Sequence, residues 1–294
     1  MKLFIFGLGY SATFIAQRLA AGGAAIAATV RTQEKADALA GAGYDAYLFS
    51  GAGRNEAIAR ELAASDAVLI SVPPGRDEGA LDAVLEVYRD DLAKAAHVRW
   101  IGYLSTVGVY GDHGGAWVDE TTVPTPTDGR SRNRLTVEQQ WLDFGAAHHA
   151  PVQIFRLAGI YGPGRNQLVQ LAEGKARRII KPGQVFNRIH VEDIAQIVAA
   201  SLVKPRAGAI YNGADNEPAP PQDVVSFAAA LCGVEPPPEI PFEHADLTPM
   251  GRSFFMETKR VRNRLLHDEL GVTLRYPTYR EGLTALRAAG DGPG

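Results

Sequence analysis

The sequence predicts an α/β chain, a doubly wound parallel sheet with a smaller C-terminal part. Three observations carry that prediction. Short apolar runs without in-out alternation recur through the first half, as strands buried on both faces require. Stretches with helical spacing lie between them. The first strand-to-helix junction is a glycine turn, Gly7-Leu8-Gly9-Tyr10-Ser11-Ala12, inside a strand–helix–strand unit of about 30 residues.

Taken in order, Lys2 to Phe6 reads as a buried strand ended by Gly7. Phe14, Ile15, Arg18 and Leu19 fall at helical intervals, and Gly22-Gly23 closes that helix. Ala24 to Val30 and Asp45 to Phe49 are the second and third strands, with a helix at Glu56 to Ala64. Ala67 to Val72 is a fourth strand, stopped by Pro73-Pro74. Leu81 to Ala96 is an amphipathic helix, followed by strands at Val98 to Leu104 and Val152 to Leu157. Strand and helix alternation of this kind implies helices on both faces of the sheet.

Beyond about residue 165 the pattern loosens. Leu168 to Ala176 and Val191 to Val203 read as helices, and Ala209 to Asn212 as a short strand. Prolines cluster at 218, 220, 221, 236, 237, 238 and 241, those at 236–238 forming a stiff connector. Helices are expected at Asp223 to Leu231 and Lys259 to Leu270, and a frayed end at Gly290 to Gly294. Residues 1–165 thus form the wound-sheet domain, with 188–216 returning to it. Residues 166–294 form a smaller, discontinuous cap.

Composition limits the function. Thirty basic against 33 acidic residues give a net charge of −3, which argues against a nucleic-acid partner. One cysteine, Cys232, allows no intrachain disulfide. The longest weakly polar stretch, Leu19 to Val30, spans 12 residues, short of the roughly 20 that cross a bilayer. Met1-Lys2 is followed by too short an apolar run for a secretory signal. The expectation is a cytoplasmic protein with a small-molecule partner and no membrane contact. No paired His/Cys spacing marks a metal site, His148-His149 reads as surface, and the basic run Lys175 to Lys181 as a solvated face.

Gly7-x-Gly9-x-x-Ala12 follows a strand and opens a helix, the context a dinucleotide fingerprint requires. The first glycine permits the tight turn, the second a close approach of the diphosphate, and Ala12 is small enough for helix–strand packing. The cofactor set is therefore Gly7, Leu8, Gly9, Tyr10, Ser11 and Ala12, completed by the end of the fourth strand, Ser71, Val72 and Pro73. The competing reading is a purely structural glycine turn. NAD sites usually carry an acid at the end of the second strand. This chain has Val30-Arg31-Thr32 instead. Arg31 and Thr32 favour NADP(H) over NAD(H), because a guanidinium can pair with the 2′-phosphate. The alternative is a solvated surface charge.

Four segments then bring a family into view. Leu104-Ser105-Thr106-Val107-Gly108-Val109-Tyr110-Gly111 resembles the "SS…VYG" stretch of extended short-chain dehydrogenases/reductases. Arg156 to Asn166 resembles their "R..GIYGPGRN", Arg188 to Ala195 their "RIHVDDIA", and Tyr211 to Asp215 their "YNVAD". Kept in family order and covering residues 1 to about 216, they are similar to the NAD-dependent epimerase/dehydratase family. The shortened glycine motif resembles its atypical members.

The resemblance implies a Rossmann core with a C-terminal substrate domain closing over the nicotinamide. The family's catalytic set is a Ser or Thr, with a Tyr and a Lys one helical turn apart. The hydroxyl role falls on Thr106, with Ser105 beside it. Anchored on Glu138, the Lys position is Arg134 and the Tyr position is Arg130, an exchange that one atypical group shares. Arginine stays protonated and cannot be the general acid–base. At i and i+4 the pair could clamp an anionic substrate group or a cofactor phosphate; two solvated arginines are the alternative.

Another acid must then serve, with Tyr110, Tyr161 and His190 as candidates. Arg130, Tyr161, Arg188 and His190 make up the expected substrate set, and Arg134 joins the cofactor set. The family histidine is mainly structural, and Asp193 is expected as a helix N-cap. Nucleotide-sugar members often carry an arginine four residues before that histidine, where this chain has Phe186. Two functions stay open: an NADP(H)-dependent oxidoreductase, epimerase or dehydratase with altered acid–base residues, and a redox-inactive NADP(H) sensor. Family members often pair through helices, so a homodimer is a further expectation.

Overall fold

A computed structural model describes residues 1–75 and 82–293. Seven parallel strands form the central sheet: β1 (Lys2–Phe6), β2 (Ala25–Val30), β3 (Asp45–Leu48), β4 (Ala67–Ile70), β5 (Trp100–Thr106), β6 (Val152–Leu157) and β7 (Ala209–Gly213). Their spatial order is β3-β2-β1-β4-β5-β6-β7. The chain runs outward from β1 to β3, then crosses back to place β4 beside β1. At such a switch point the carboxyl ends of neighbouring strands open a crevice.

The helices are α1 (Tyr10–Ala21), α2 (Gln33–Gly41), α3 (Glu56–Ala63), α4 (Ala83–Lys94), α5 (Gly129–His148), α6 (Gln167–Ala172), α7 (Val191–Val203) and α8 (Pro221–Cys232), followed by α9 (Pro249–Phe254), α10 (Arg264–Asp268) and α11 (Tyr279–Ala288). Strand alternation explains why β1 is apolar from Leu3 to Phe6. Leu3 and Ile5 pack into the layer that holds Ile15 of α1 and Ile194 of α7. Phe4 and Phe6 pack on the opposite layer, with Ile58 of α3 and Tyr88 of α4. All four β1 side chains are fully buried, and each large one contributes about 1.5–3 kcal/mol.

The expected helix from Leu81 begins at Ala83 in the described chain, with Asp82 accepting from Val84 N and Leu85 N, and Leu81 itself lies outside the described residues. The single helix expected over 259–270 does not form. Arg260–Val261 instead pairs in parallel with Trp117–Val118. Asn187 Oδ1 accepts from Val261 N and Ala116 O from Arg260 N, drawing that backbone away from helix. Two more short parallel pairs join Arg188–His190 to Gly159–Tyr161 and Glu239–Pro241 to Arg178–Ile180. The basic run is stitched down, because Arg178 pairs with Glu239 while Arg177 and Lys181 donate to the carbonyls of Asp246 and Phe255.

The expected N-cap Asp193 is also replaced. His190 Nδ1 accepts from Glu192 N and caps α7. Asp193 accepts from the backbone N–H groups of Arg275 and Tyr276, fastening a C-terminal segment. The tail is not frayed through Pro293. Asp291 accepts from Gly164 N and Asn166 Nδ2, and Arg287 Nη1 donates to the carbonyls of Asp291 and Pro293. Gly294 lies outside the described residues. A small separate core gathers Tyr161, Leu168, Val224, Ala228, Tyr279 and Leu283 around α8 and α11. No helix among the described residues is long and apolar enough to cross a membrane.

Candidate functional site

The glycine turn sits at the switch point, at the carboxyl end of β1. Gly7 has φ of +85°, and a Cβ there would lie 2.7 Å from Val72 Cγ1. Gly7 therefore brings the loop against Ser71 and Val72 at the end of β4, where Ser71 N bonds Phe6 O. The loop is tied to β2 as well, since Thr29 Oγ1 accepts from Gly7 N at 2.8 Å and Thr29 O from Leu8 N. Gly9 is different, because nothing lies within 4 Å of a Cβ built on it. It caps α1 in an extended conformation without a side-chain cap and with no acid in the first turn. An open cradle at a bare helix N-terminus suits an anion. These residues fit a dinucleotide diphosphate.

Arg31 is exposed at the end of β2 and makes no ion pair among the described residues. Thr32 Oγ1 accepts from Lys35 N and caps α2. The residue that follows β2 is thus an exposed arginine and not an acid.

Thr106 ends β5, partly exposed, and its Oγ1 accepts from Gly108 N at 3.1 Å, leaving its own proton free to donate. A Cβ on Gly108 would lie 2.9 Å from Ser131 Oγ and 3.3 Å from Thr106 Oγ1. The missing side chain at 108 is what lets these two hydroxyls flank one gap. Ser131 Oγ donates to Asp128 Oδ2 at 2.7 Å. Burial raises the Asp128 carboxyl, but bonds from Ser131 and the backbone at 130 and 131 hold it below its ordinary value. The sequence reading missed this pair. Asp128-x-x-Ser131 at a helix start is its local signal.

The other expected catalytic residues are committed elsewhere. Ser105 is buried, and its hydroxyl donates to Glu138 Oε1. Glu138 in turn holds Arg156 through Nε and Nη2, the latter at 2.7 Å. Tyr110 is buried, donates to Asn212 Oδ1 at 2.8 Å and carries Arg156 over its ring. Burial pushes its hydroxyl above the ordinary value. Tyr161 packs edge to face on His190. The Tyr161 hydroxyl reaches Thr278 O at 3.4 Å, and burial pushes it far up.

His190 has no exposed surface. Burial, then the Arg275 charge, push it down to about 4. Such an imidazole is neutral near pH 7 and holds no proton to give.

Arg130 and Arg134 of α5 do not form a paired clamp. Arg134 Nη1 donates to Leu104 O at 2.6 Å and to Tyr103 Oη at 3.1 Å. It sets a fixed cation at the carboxyl end of β5. Arg130 is exposed, with its Nε 3.8 Å from Asp128. Arg188 Nη1 donates to the carbonyls of Phe186 and Ala219, so its guanidinium is taken up by backbone. Among the described residues no group of three His, Cys, Asp or Glu side chains could hold a metal ion.

A strand-order switch over an open glycine cradle, with a threonine hydroxyl at the end of β5, defines a Rossmann-type dinucleotide fold. The chain belongs to the NAD-dependent epimerase/dehydratase family, whose model matches residues 82–214. It is 32% identical to protein YeeZ of Escherichia coli K12, the match covering 94% of this chain and 96% of YeeZ. It is 49% identical to a conserved protein of unknown function from Silicibacter pomeroyi, with a TM-score of 0.88 and 99% of each chain covered. A UDP-glucuronic acid 4-epimerase from Bacillus cereus, solved with NAD, shares the fold at 18% identity and a TM-score of 0.76, over 98% of this chain and 96% of that one.

Proposed function

We propose that this chain binds NADP(H) at the Gly7–Ala12 cradle and exchanges hydride with a small carbonyl or hydroxyl substrate beside Thr106. The observation that carries the reading is the open cradle at Gly9, in a chain of a family described as NAD dependent. When bound, the nicotinamide supplies or accepts the hydride. Gly7, Gly9 and the first turn of α1 hold the diphosphate, and Ser71, Val72 and Pro73 line its β4 side. Arg31 meets the 2′-phosphate, favouring NADP(H). Thr106 donates a hydrogen bond to the substrate oxygen and keeps its proton, with Ser131 across the Gly108 gap. Arg134 supplies a fixed positive charge where oxyanion character develops. Arg130, exposed at the start of α5, is placed to attract an anionic substrate group. The protein works as a homodimer in the cytoplasm.

A second reading, a binding protein without turnover, is favoured by one observation. Tyr110, Tyr161 and His190, the side chains that could replace the family tyrosine, are buried and committed to other contacts. Titrating the protein with NADPH and NADH, then offering carbonyl compounds to the NADPH complex, separates the two. Oxidation of bound NADPH supports the enzyme, and binding without oxidation supports the second reading. Gly9→Val fills the cradle and should abolish affinity; retained affinity would refute this placement of the cofactor.

A further inference from the structure

The loop after Tyr161 reaches back to the cofactor cradle from the substrate side. Gly162 and Arg165 close a tight turn through two mutual backbone bonds of 3.1 and 3.0 Å. That turn docks on the first residue of α1, where Tyr10 Oη donates to Pro163 O at 3.1 Å. A Cβ on Gly162 would lie 2.7 Å from that same hydroxyl. The turn is fixed from behind as well. Asp291 accepts from Gly164 N and from Asn166 Nδ2, and Asn166 Nδ2 also reaches Gly162 O at 2.9 Å.

Held between α1 and the C-terminal tail, the turn lays one charged side chain over the Tyr10 ring at the start of α1. Arg165 is exposed, and its Cζ lies 5.5 Å from the centre of the Tyr10 ring. Among the described residues it makes no ion pair. The adjacent acid, Asp291, is already engaged by Gly164 and Asn166. A guanidinium stacked on an aromatic face keeps its edge N–H groups free for a phosphate.

We propose that Arg165 is a cofactor-diphosphate ligand, brought to the cradle by the Gly162–Asn166 turn, with Tyr10 and Asp291 as its positioning residues. The inference rests on the cofactor reading above. The first turn of α1 offers only partial positive charge to a group bearing two negative charges. Arg165 adds a whole charge from a different segment, so cofactor and substrate-side loop become one unit. A charge-assisted bond of this kind corresponds to about a tenfold change in affinity.

The test measures dissociation constants for NADPH and for ADP-ribose, which keeps the diphosphate but lacks the nicotinamide. Arg165→Ala should weaken both about tenfold, flatten their salt dependence and leave the melting temperature unchanged. Arg165→Lys should recover part of the loss. Asp291→Ala should weaken both ligands in the wild-type background and have little further effect in the Arg165→Ala background. If Gly9→Val loses binding while Arg165→Ala binds both ligands as wild type does, this inference fails and the cofactor site stands. If wild type binds neither ligand, both fail together.

Discussion

Arg31 stands where an acid would accept the ribose 2′-hydroxyl of NAD, exposed and without an ion pair among the described residues. Because it bonds no protein group there, replacing it should act on the ligand alone. Arg31→Ala is expected to weaken NADPH about tenfold, from the loss of one charge-assisted bond, and to leave NADH within about twofold. Equal losses for both, in paired titrations, would place the 2′-phosphate elsewhere. The backbone settings of Gly7 and Gly9 were legible because they follow from local rules. Gly7 needs a positive φ, and Gly9 needs an empty approach. Ser105 and Tyr110 were not legible, because their partners Glu138 and Asn212 lie 33 and 102 residues away. Motif position marked both as catalytic, whereas burial and long-range hydrogen bonds assign them to structure.

Three elements meet in one buried polar knot. Ser105 of β5, Glu138 of α5 and Arg156 of β6 are each less than a tenth exposed, and the Glu138 carboxylate accepts from both of the others. The knot sets the rotation of α5 against the sheet, and hence where Ser131 and Arg134 stand relative to Thr106. Glu138→Ala leaves the Arg156 charge buried without its carboxylate, a situation that costs about 3–5 kcal/mol. Ser105→Ala removes one hydrogen bond and should cost about 1–2 kcal/mol. Urea unfolding of both variants checks this; a Glu138→Ala loss no larger than that of Ser105→Ala would show the pair to be solvent-relieved. The long elements were readable because buried parallel strands and amphipathic helices carry their period in the sequence. The paired strands of two or three residues carry none, so Arg260–Val261 was taken for helix. The α11 helix had a signal, the Thr278–Glu281 capping box, that outlasts any apolar period.

At the scale of the whole molecule, the C-terminal segment is joined to the sheet domain through groups that sense pH. His190 caps α7 with Nδ1 and packs against Tyr161 and Tyr276, while its Nε2 has no partner among the described residues. Burial and the Arg275 charge push it down to about 4 from 6.5. The protonated form is therefore disfavoured in the folded chain and not in the unfolded one. The stability that the neutral ring contributes is complete above pH 6.5, and it falls as the unfolded state takes up a proton between 6.5 and about 4. The full loss corresponds to about 3 kcal/mol. Asp215 has the opposite sign. Burial pushes its carboxyl up to about 8, so its contribution declines as pH rises from the ordinary carboxylate range toward 8. His190→Asn keeps an oxygen that can accept from Glu192 N and removes only the first slope. Its unfolding free energy should start below wild type at pH 7, from lost ring packing. Relative to wild type it should then gain stability as pH falls from 6.5 to 4.5, because the Asp215 slope is left unopposed. Parallel curves for the two proteins over that range would mean that His190 exchanges protons equally in both states, and that acid sensitivity arises elsewhere in the fold.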